Sequence, residues 1–313
     1  MPTIWQLPNF SGELFTADAT TTPLLTMLGG LTNGGRITDN FQFPTSSEYA
    51  FPAAAQPNIT ENASLNAPAG TQIARGQATN VCQIHHEAIT LSYNKVSNGG
   101  RMTGVNTAGQ ENSVISEKDW QIEQKLIKIA RDAEFSFING VFQLAVDADT
   151  ANRTRGLLPL IAGAGGASNL VDAQGAALSL PLIQTALRTM AGNGAFFRNV
   201  VIHVNAFQKQ QISNILGFAP ADRNVGGVNI QQVETDFGVF GVVYNRFVPA
   251  NTVLFAEMEG LAPVFQEVPD KGILFYEELA KIGASERGQL YGAVGLAHGP
   301  AWMHGSITDL AIA

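Results

Sequence analysis

The run His85-His86-Glu87 is where this chain comes nearest to a reactive centre, because imidazole and carboxylate groups at short spacing are the donors that a zinc site uses. His86-Glu87 opens a zincin pattern, but Thr90 stands where the second histidine is needed. The segment also reads as a strand, on which His85 and His86 point to opposite faces and cannot share one ion by themselves. Cys82 lies three positions from His85, again on the other face, so the thiol lacks a base. His298 and His304 sit among Gly299, Pro300 and Gly305 without a spaced carboxylate and read as structural. Gly163, Gly165 and Gly166 are followed by Ser168, where a dinucleotide fingerprint requires glycine. Gly283-Ala284-Ser285-Glu286 continues into Arg287, where a nucleophile elbow needs glycine. No catalytic, metal-binding or cofactor-binding residue is assigned, and neither a cofactor nor enzyme activity is expected. A metal-dependent enzyme centred on His85, His86 and Glu87 stays open as one alternative.

The elements around these residues are more informative. Residues 1–36 read as an arm with one helical turn at Leu24, Leu25, Met27 and Leu28, opened by Thr22 ahead of Pro23. In residues 37–84 only Asp39, Glu48, Glu61 and Arg75 carry charge, and four prolines interrupt any helix. The alternation of Phe41 and Phe43 on the way out, and of Ile73, Val81 and Ile84 on the way back, predicts a long two-stranded excursion. Such a hairpin has no core of its own and too little charge to stay solvated as a disordered segment, so it must order against something else. Its exposed contact candidates are Phe41, Phe43, Tyr49, Phe51, Ile59, Leu65, Ile73 and Arg75.

Ile84 to Val96 reads as a strand whose apolar alternation changes face near Ala88, which predicts a bulge. The strongest helix opens near Asn112 or Ser113 and runs to about Phe142, roughly 45 Å at ~1.5 Å per residue. Ile115, Ile122, Leu126, Ile129, Ala133, Phe137 and Val141 form its buried stripe. The charged residues from Glu117 to Glu134 are expected on its wet faces. Beyond Gly156, two short helices (about 180–192 and 206–217) mix with β segments near 200–204, 228–234, 239–248, 252–258, 273–277 and 290–296. Without regular βαβ alternation this is an α+β pattern.

Charged residues make up 14% of the 313 positions and the formal net charge is −8. An ordinary soluble domain carries roughly a quarter charged residues, so much of this surface is expected to be covered by other protein chains. The acidic balance and the absence of a basic run argue against nucleic-acid backbone binding. No stretch nears the ~20 apolar residues of a membrane span, and the N-terminus lacks the charged and apolar regions of a signal peptide. One cysteine excludes a disulfide framework and suits a reducing compartment.

Several segments, in this order and spacing, resemble the major capsid proteins of tailed bacteriophages (Caudoviricetes) with the Hong Kong 97-type fold, in the branch similar to the capsid protein of phage SU10. They are Asn80-Val81-Cys82-Gln83-Ile84, Arg131-Asp132-Ala133-Glu134, Thr154-Arg155-Gly156-Leu157, Thr235-Asp236-Phe237-Gly238, Arg246-Phe247-Val248-Pro249, Leu279-Ala280-Lys281-Ile282-Gly283 and His304-Gly305-Ser306-Ile307. The resemblance implies an N-terminal arm (1–36), an extended loop on a neighbouring subunit (37–84) and a peripheral domain with a spine helix (85–150). An axial domain (151–280) and a C-terminal strand returning to the peripheral domain (281–313) complete the subunit. It further implies a structural virion protein that assembles in the host cytoplasm, as pentamers and hexamers, into an icosahedral shell. The shell would enclose double-stranded DNA without sequence-specific binding, with scaffold, portal and decoration or cement proteins as further partners. Some relatives join a loop lysine to a neighbour's asparagine; the first lysine here is Lys95, so that bond is not expected. Nor does the arm show the long helical leader of other relatives. An encapsulin-like shell around cargo enzymes is the other alternative.

Overall fold

A computed structural model describes residues 21–31, 35–49, 53–97, 117–164, 168–216, 222–225 and 228–312. The chain begins there with α1 (Pro23–Met27), which Pro23 starts with its fixed φ and missing N–H. β1 (Arg36–Thr38), β2 (Gln42–Tyr49), α2 (Glu61–Ser64), β3 (Arg75–Val81), β4 (Gln83–Ser92) and α3 (Tyr93–Ser97) follow. The spine helix is α4 (Glu117–Asn139). Then come α5 (Leu157–Ala162), β5 (Leu170–Asp172), α6 (Leu180–Gly192), β6 (Val200–Val204), α7 (Ala206–Leu216), β7 (Asp222–Val225), β8 (Val228–Thr235) and β9 (Gly238–Tyr244). β10 (Val253–Glu257), β11 (Ala262–Gln266), β12 (Leu274–Leu279), β13 (Ser285–Ala297) and β14 (Gly305–Thr308) close the chain.

Two sheets carry the molecule. The long strand β13 organises the first: β12 and then β11 pair along one side, β4 along the other, and β1 joins β11 in parallel. The second sheet has seven strands in the order β5-β14-β10-β6-β9-β8-β7. Its period-two alternation sends Ile202, Val204, Val253 and Phe255 into a core with α6 and α7. Val201, Val243, Leu254 and Ala256 face the other way, into a core shared with α1, α4, α5 and strand residues Phe265, Val294 and Leu296 of the first sheet.

This topology revises several expectations. Residues 262–279 pair in the sheet that holds β4, and the closing strand β14 joins the seven-stranded sheet. β4 keeps an unbroken register with β13 from Gln83↔Val294 to Ser92↔Ser285, so there is no bulge at Ala88. Its buried face is His85, Ile89 and Leu91, and the strand ends at Ser92 because the chain turns into α3. The described part of α4 stops at Asn139, about 35 Å from Glu117. Val141 lies beyond that end and is exposed, while the starts at Asn112, Ser113 and Ile115 lie outside the described residues. The reason for the stop is steric. Gly140 and Gly156 meet backbone to backbone, the Gly156 N–H donating to the Gly140 carbonyl at 2.7 Å. A Cβ on Gly156 would stand 2.6 Å from the Gly140 nitrogen.

Candidate assembly interface

The hairpin forms as the alternation predicts. β2 pairs antiparallel with β3 from Gln42↔Val81 to Tyr49↔Arg75, with one irregularity between Pro44 and Ser46. Its root is polar and buried. The Asn80 Nδ2 donates to the carbonyls of Leu296 (2.8 Å) and Arg155 (3.1 Å), while Oδ1 accepts from the N–H groups of Arg155 (2.8 Å) and Val81 (2.9 Å). One side chain thereby ties β3 to β13 and to the segment entering α5. That segment is Thr154-Arg155-Gly156-Leu157, whose other members also have structural duties. Thr154 accepts from the Leu296 N–H, Arg155 stacks on Phe142, and Leu157 is fully buried.

Beyond the root no described residue covers the ribbon. Every residue from 53 to 77 is exposed. α2 is a single turn capped by the Thr60 hydroxyl, which accepts from the Ala63 N–H. Ile59 and Leu65 are 71% and 80% exposed, and Phe41, Tyr49, Ile73 and Arg75 are exposed as well. Phe43 departs from this list. It is only 5% exposed and packs with Cys82, Val264, Ala293 and Ala297, its ring filling the space that a Cβ on Gly295 would occupy. Phe43 thus belongs to the subunit's own core: it stands on β2 against β13, whereas Phe41 lies just before β2 begins and is exposed. Phe51 lies outside the described residues.

The residues with apparent chemistry are each engaged. Burial would raise the Glu87 carboxyl, but hydrogen bonds and charge from Lys125 and Lys128, at 2.8 and 2.5 Å, carry it below the usual carboxylate range. His86 is exposed, 3.0 Å from Gln289 and edge-on to Tyr291. His85 is buried, which lowers its pKa. No group of three or more His, Cys, Asp or Glu is placed to hold a metal among the described residues. Cys82 is buried and its thiol is pushed up to about 12, the opposite of a reactive thiolate. The Ser285 hydroxyl closes a turn onto the Ile282 carbonyl. The histidines near the C-terminus join strands. His304 accepts the Glu257 N–H at Nδ1 (3.1 Å) and donates from Nε2 to the His298 carbonyl (2.7 Å), and His298 bonds the Gly299 carbonyl through Nδ1 (2.7 Å).

Sequence reasoning missed one anchor outright. Glu134, expected on a wet face of the spine helix, is fully buried. Its carboxylate accepts from the N–H groups of Leu24 (2.9 Å) and Leu25 (2.7 Å) and from the Asn245 side chain (2.5 Å). It caps the first turn of α1 and pins the arm to both the spine and the second sheet. Burial pushes this carboxyl upward, against the pull of those three donors. The available signal was its place beside Ala133 and Phe137 on the apolar stripe.

Among the described residues, the molecule therefore has a tightly anchored helix α1, a rooted but unsupported ribbon and no organised reactive centre. Residues 1–311 match the SU10 major capsid protein family. The chain belongs to that family. Its fold is the Hong Kong 97-type capsid fold, shared with a cyanophage A-1(L) capsid subunit at 14% identity and TM-score 0.65, covering 99% of both chains. The capsid subunit of a native GTA particle is similar at 13% identity and TM-score 0.60, over 98% of this chain and 96% of that one. The encapsulin of the holo-SrpI complex from Synechococcus elongatus PCC 7942 matches at 10% identity and TM-score 0.59, over 98% and 94%. No curated protein sequence matches the chain. As a member of this family the protein has a structural role as a capsid component that associates with its own copies.

Proposed function

We propose that copies of this chain gather as pentamers and hexamers by heterologous contacts that close under symmetry into an icosahedral shell. The shell holds the double-stranded DNA of a tailed phage and is assembled in the host cytoplasm, where scaffold, portal and decoration proteins act with it. In that reading residues 1–36 are the arm, 37–84 the loop laid on a neighbour, and the spine-helix and seven-stranded layers the peripheral and axial domains. The protein is not an enzyme and binds no cofactor.

The observation that carries this reading is the long ribbon with no support in its own subunit. Residues 53–77 are all exposed, and their apolar side chains, with only Glu61 and Arg75 charged among them, are stably covered when identical copies lie against them. A net charge of −8 suits a wall that encloses DNA without adhering to it. Electron microscopy of the purified chain at raised concentration and salt is the direct test. Closed shells are expected, and a persistent monomer overturns the proposal.

The likeness to the SrpI encapsulin supports a second reading, a compartment around cargo enzymes. Neighbouring genes separate the two: portal and terminase genes mark the phage head, whereas a ferritin-like or peroxidase gene marks the compartment.

A further inference from the structure

We propose that residues 1–20 cross the solvent face of the spine helix and cover the groove between β4 and the C-terminal end of α4 in their own subunit. The inference concerns the single chain and stands apart from the shell reading.

The groove is about 650 Å³ and runs from β4 residues 83–87 to the last turns of α4, Val141 and Arg153. Ile84, Phe135 and Val141 line it and are 58%, 53% and 67% exposed, which leaves an apolar strip in water. Most charges beside it are spent on one another, Lys125 and Lys128 on Glu87 and Lys128 again on Asp132. Two cations are left over. Arg153 has no ion-pair partner among the described residues. Arg131, one helical turn before Phe135, buries an Nε that no described residue accepts from.

Such a surface fits a segment that is apolar, acidic and free of lysine and arginine. Residues 1–20 have that chemistry: Ile4, Trp5, Leu7, Phe10, Leu14 and Phe15 are apolar, and the only charged side chains are Glu13 and Asp18. They lie outside the described residues, which begin at Thr21, and that starting point sets their reach. The first turn of α1 donates its Leu24 and Leu25 N–H groups to Glu134, which is flanked in α4 by the groove residues Asp132, Phe135 and Ser136. At ~3.6 residues per turn, Arg131 and Phe135 stand between Glu134 and the groove residues Lys128 and Asp132 on the helix surface. The other way round is filled by the buried Ile129, Ala133 and Phe137. Half the girth of a helix with its side chains is about 17 Å, which about six extended residues span. A segment tethered so close is held at an effective concentration on the order of millimolar, which favours it over the same segment of another copy.

Maleimide labelling of free full-length subunits carrying Val141→Cys tests the cover, since the one natural cysteine, Cys82, is buried. Position 141 is exposed and lies beyond the end of α4, so the fold tolerates the change. Adding Trp5→Ser, Phe10→Ser and Phe15→Ser should speed the labelling about tenfold, because burial of even one ring is worth a factor of that order. Equal rates overturn the placement. A second variant, Leu14→Cys with Val141→Cys, is treated in dilute solution with a short bismaleimide and should give a single chain linked to itself. Linked dimers put the segment on another copy, and unlinked chains leave the groove uncovered; either result overturns the proposal. Both measurements use free subunits. Their failure therefore leaves the shell reading standing, and a chain that forms no particles leaves this placement standing.

Discussion

Phe41 and Phe43 are two residues apart, Phe41 just before β2 and Phe43 on it, and it is their surroundings that assign them different work. Phe43 closes the space above Gly295 and beside Cys82, whereas Phe41 meets solvent. Replacing Phe43 with alanine should cost about 3–5 kcal/mol of subunit stability. Phe41→Asp should stay within about 0.5 kcal/mol and be felt only in particle yield. Urea unfolding of the two variants reads the difference, and equal losses would refute the division. The polar anchors follow the same logic. Asn80 and Glu134 are costly to bury, and each is retained because several backbone donors or acceptors converge on it. Asn80 does not announce itself in sequence, and Glu134 does so only by its place on the apolar stripe of the helix, since the partners that hold each lie far away along the chain.

At the scale of elements, the spine helix ends at a close backbone approach. Gly156 sits where α4 stops and α5 begins, and a methyl group there would meet the backbone of Gly140, Ser136 and Ile138. Backbone cannot swing aside as a flexible side chain can, so Gly156→Ala should destabilise the subunit by about 1–3 kcal/mol in a chemical melt. Gly175→Ala is the informative contrast: the space there is open and only the positive φ of 75° opposes the side chain. Its cost should be about 1 kcal/mol. The ribbon behaves oppositely. Because residues 53–74 touch no core, replacing them with a short turn should leave the melt of the subunit within about 0.5 kcal/mol and abolish closed shells. Normal particles from that variant would remove the ribbon from the assembly account. The hairpin itself was legible because strand alternation needs only near neighbours. The length of the spine helix was overrun at Phe142, because Gly140 stops it through a partner, Gly156, that lies well beyond the helix in sequence.

For the molecule as a whole, the joint between the two sheets is built partly from neutral histidines. His304 links β10 to the end of β13, His298 precedes it, and His203 lies in β6 with both ring nitrogens unpartnered among the described residues. Burial lowers all three to about 4, from an ordinary value near 6.5. Between those values the unfolded chain takes up protons that the folded chain refuses. Their contribution is therefore complete above about pH 6.5 and is lost as the pH falls toward 4, by on the order of a few kcal/mol. The urea midpoint should fall between about pH 7 and about pH 5, and His203→Leu should flatten that slope. A midpoint indifferent to acid over that range would show that these rings are hydrated or paired in solution.

The amino-acid order alone determined the α+β class, the ribbon, the spine helix and the shortage of charge that demands company. Each of these depends on periodicity or composition, which local chemistry enforces without knowledge of the fold. It also bore the capsid resemblance, carried by short segments in order. The three-dimensional arrangement decided what distance along the chain conceals. It buried Glu134 under the arm, turned Phe43 inward, gave residues 262–279 to one sheet and the last strand to the other, and opened a groove beside β4. Those outcomes follow from contacts between segments far apart in the chain, whose energies exist only once the backbone has brought them together.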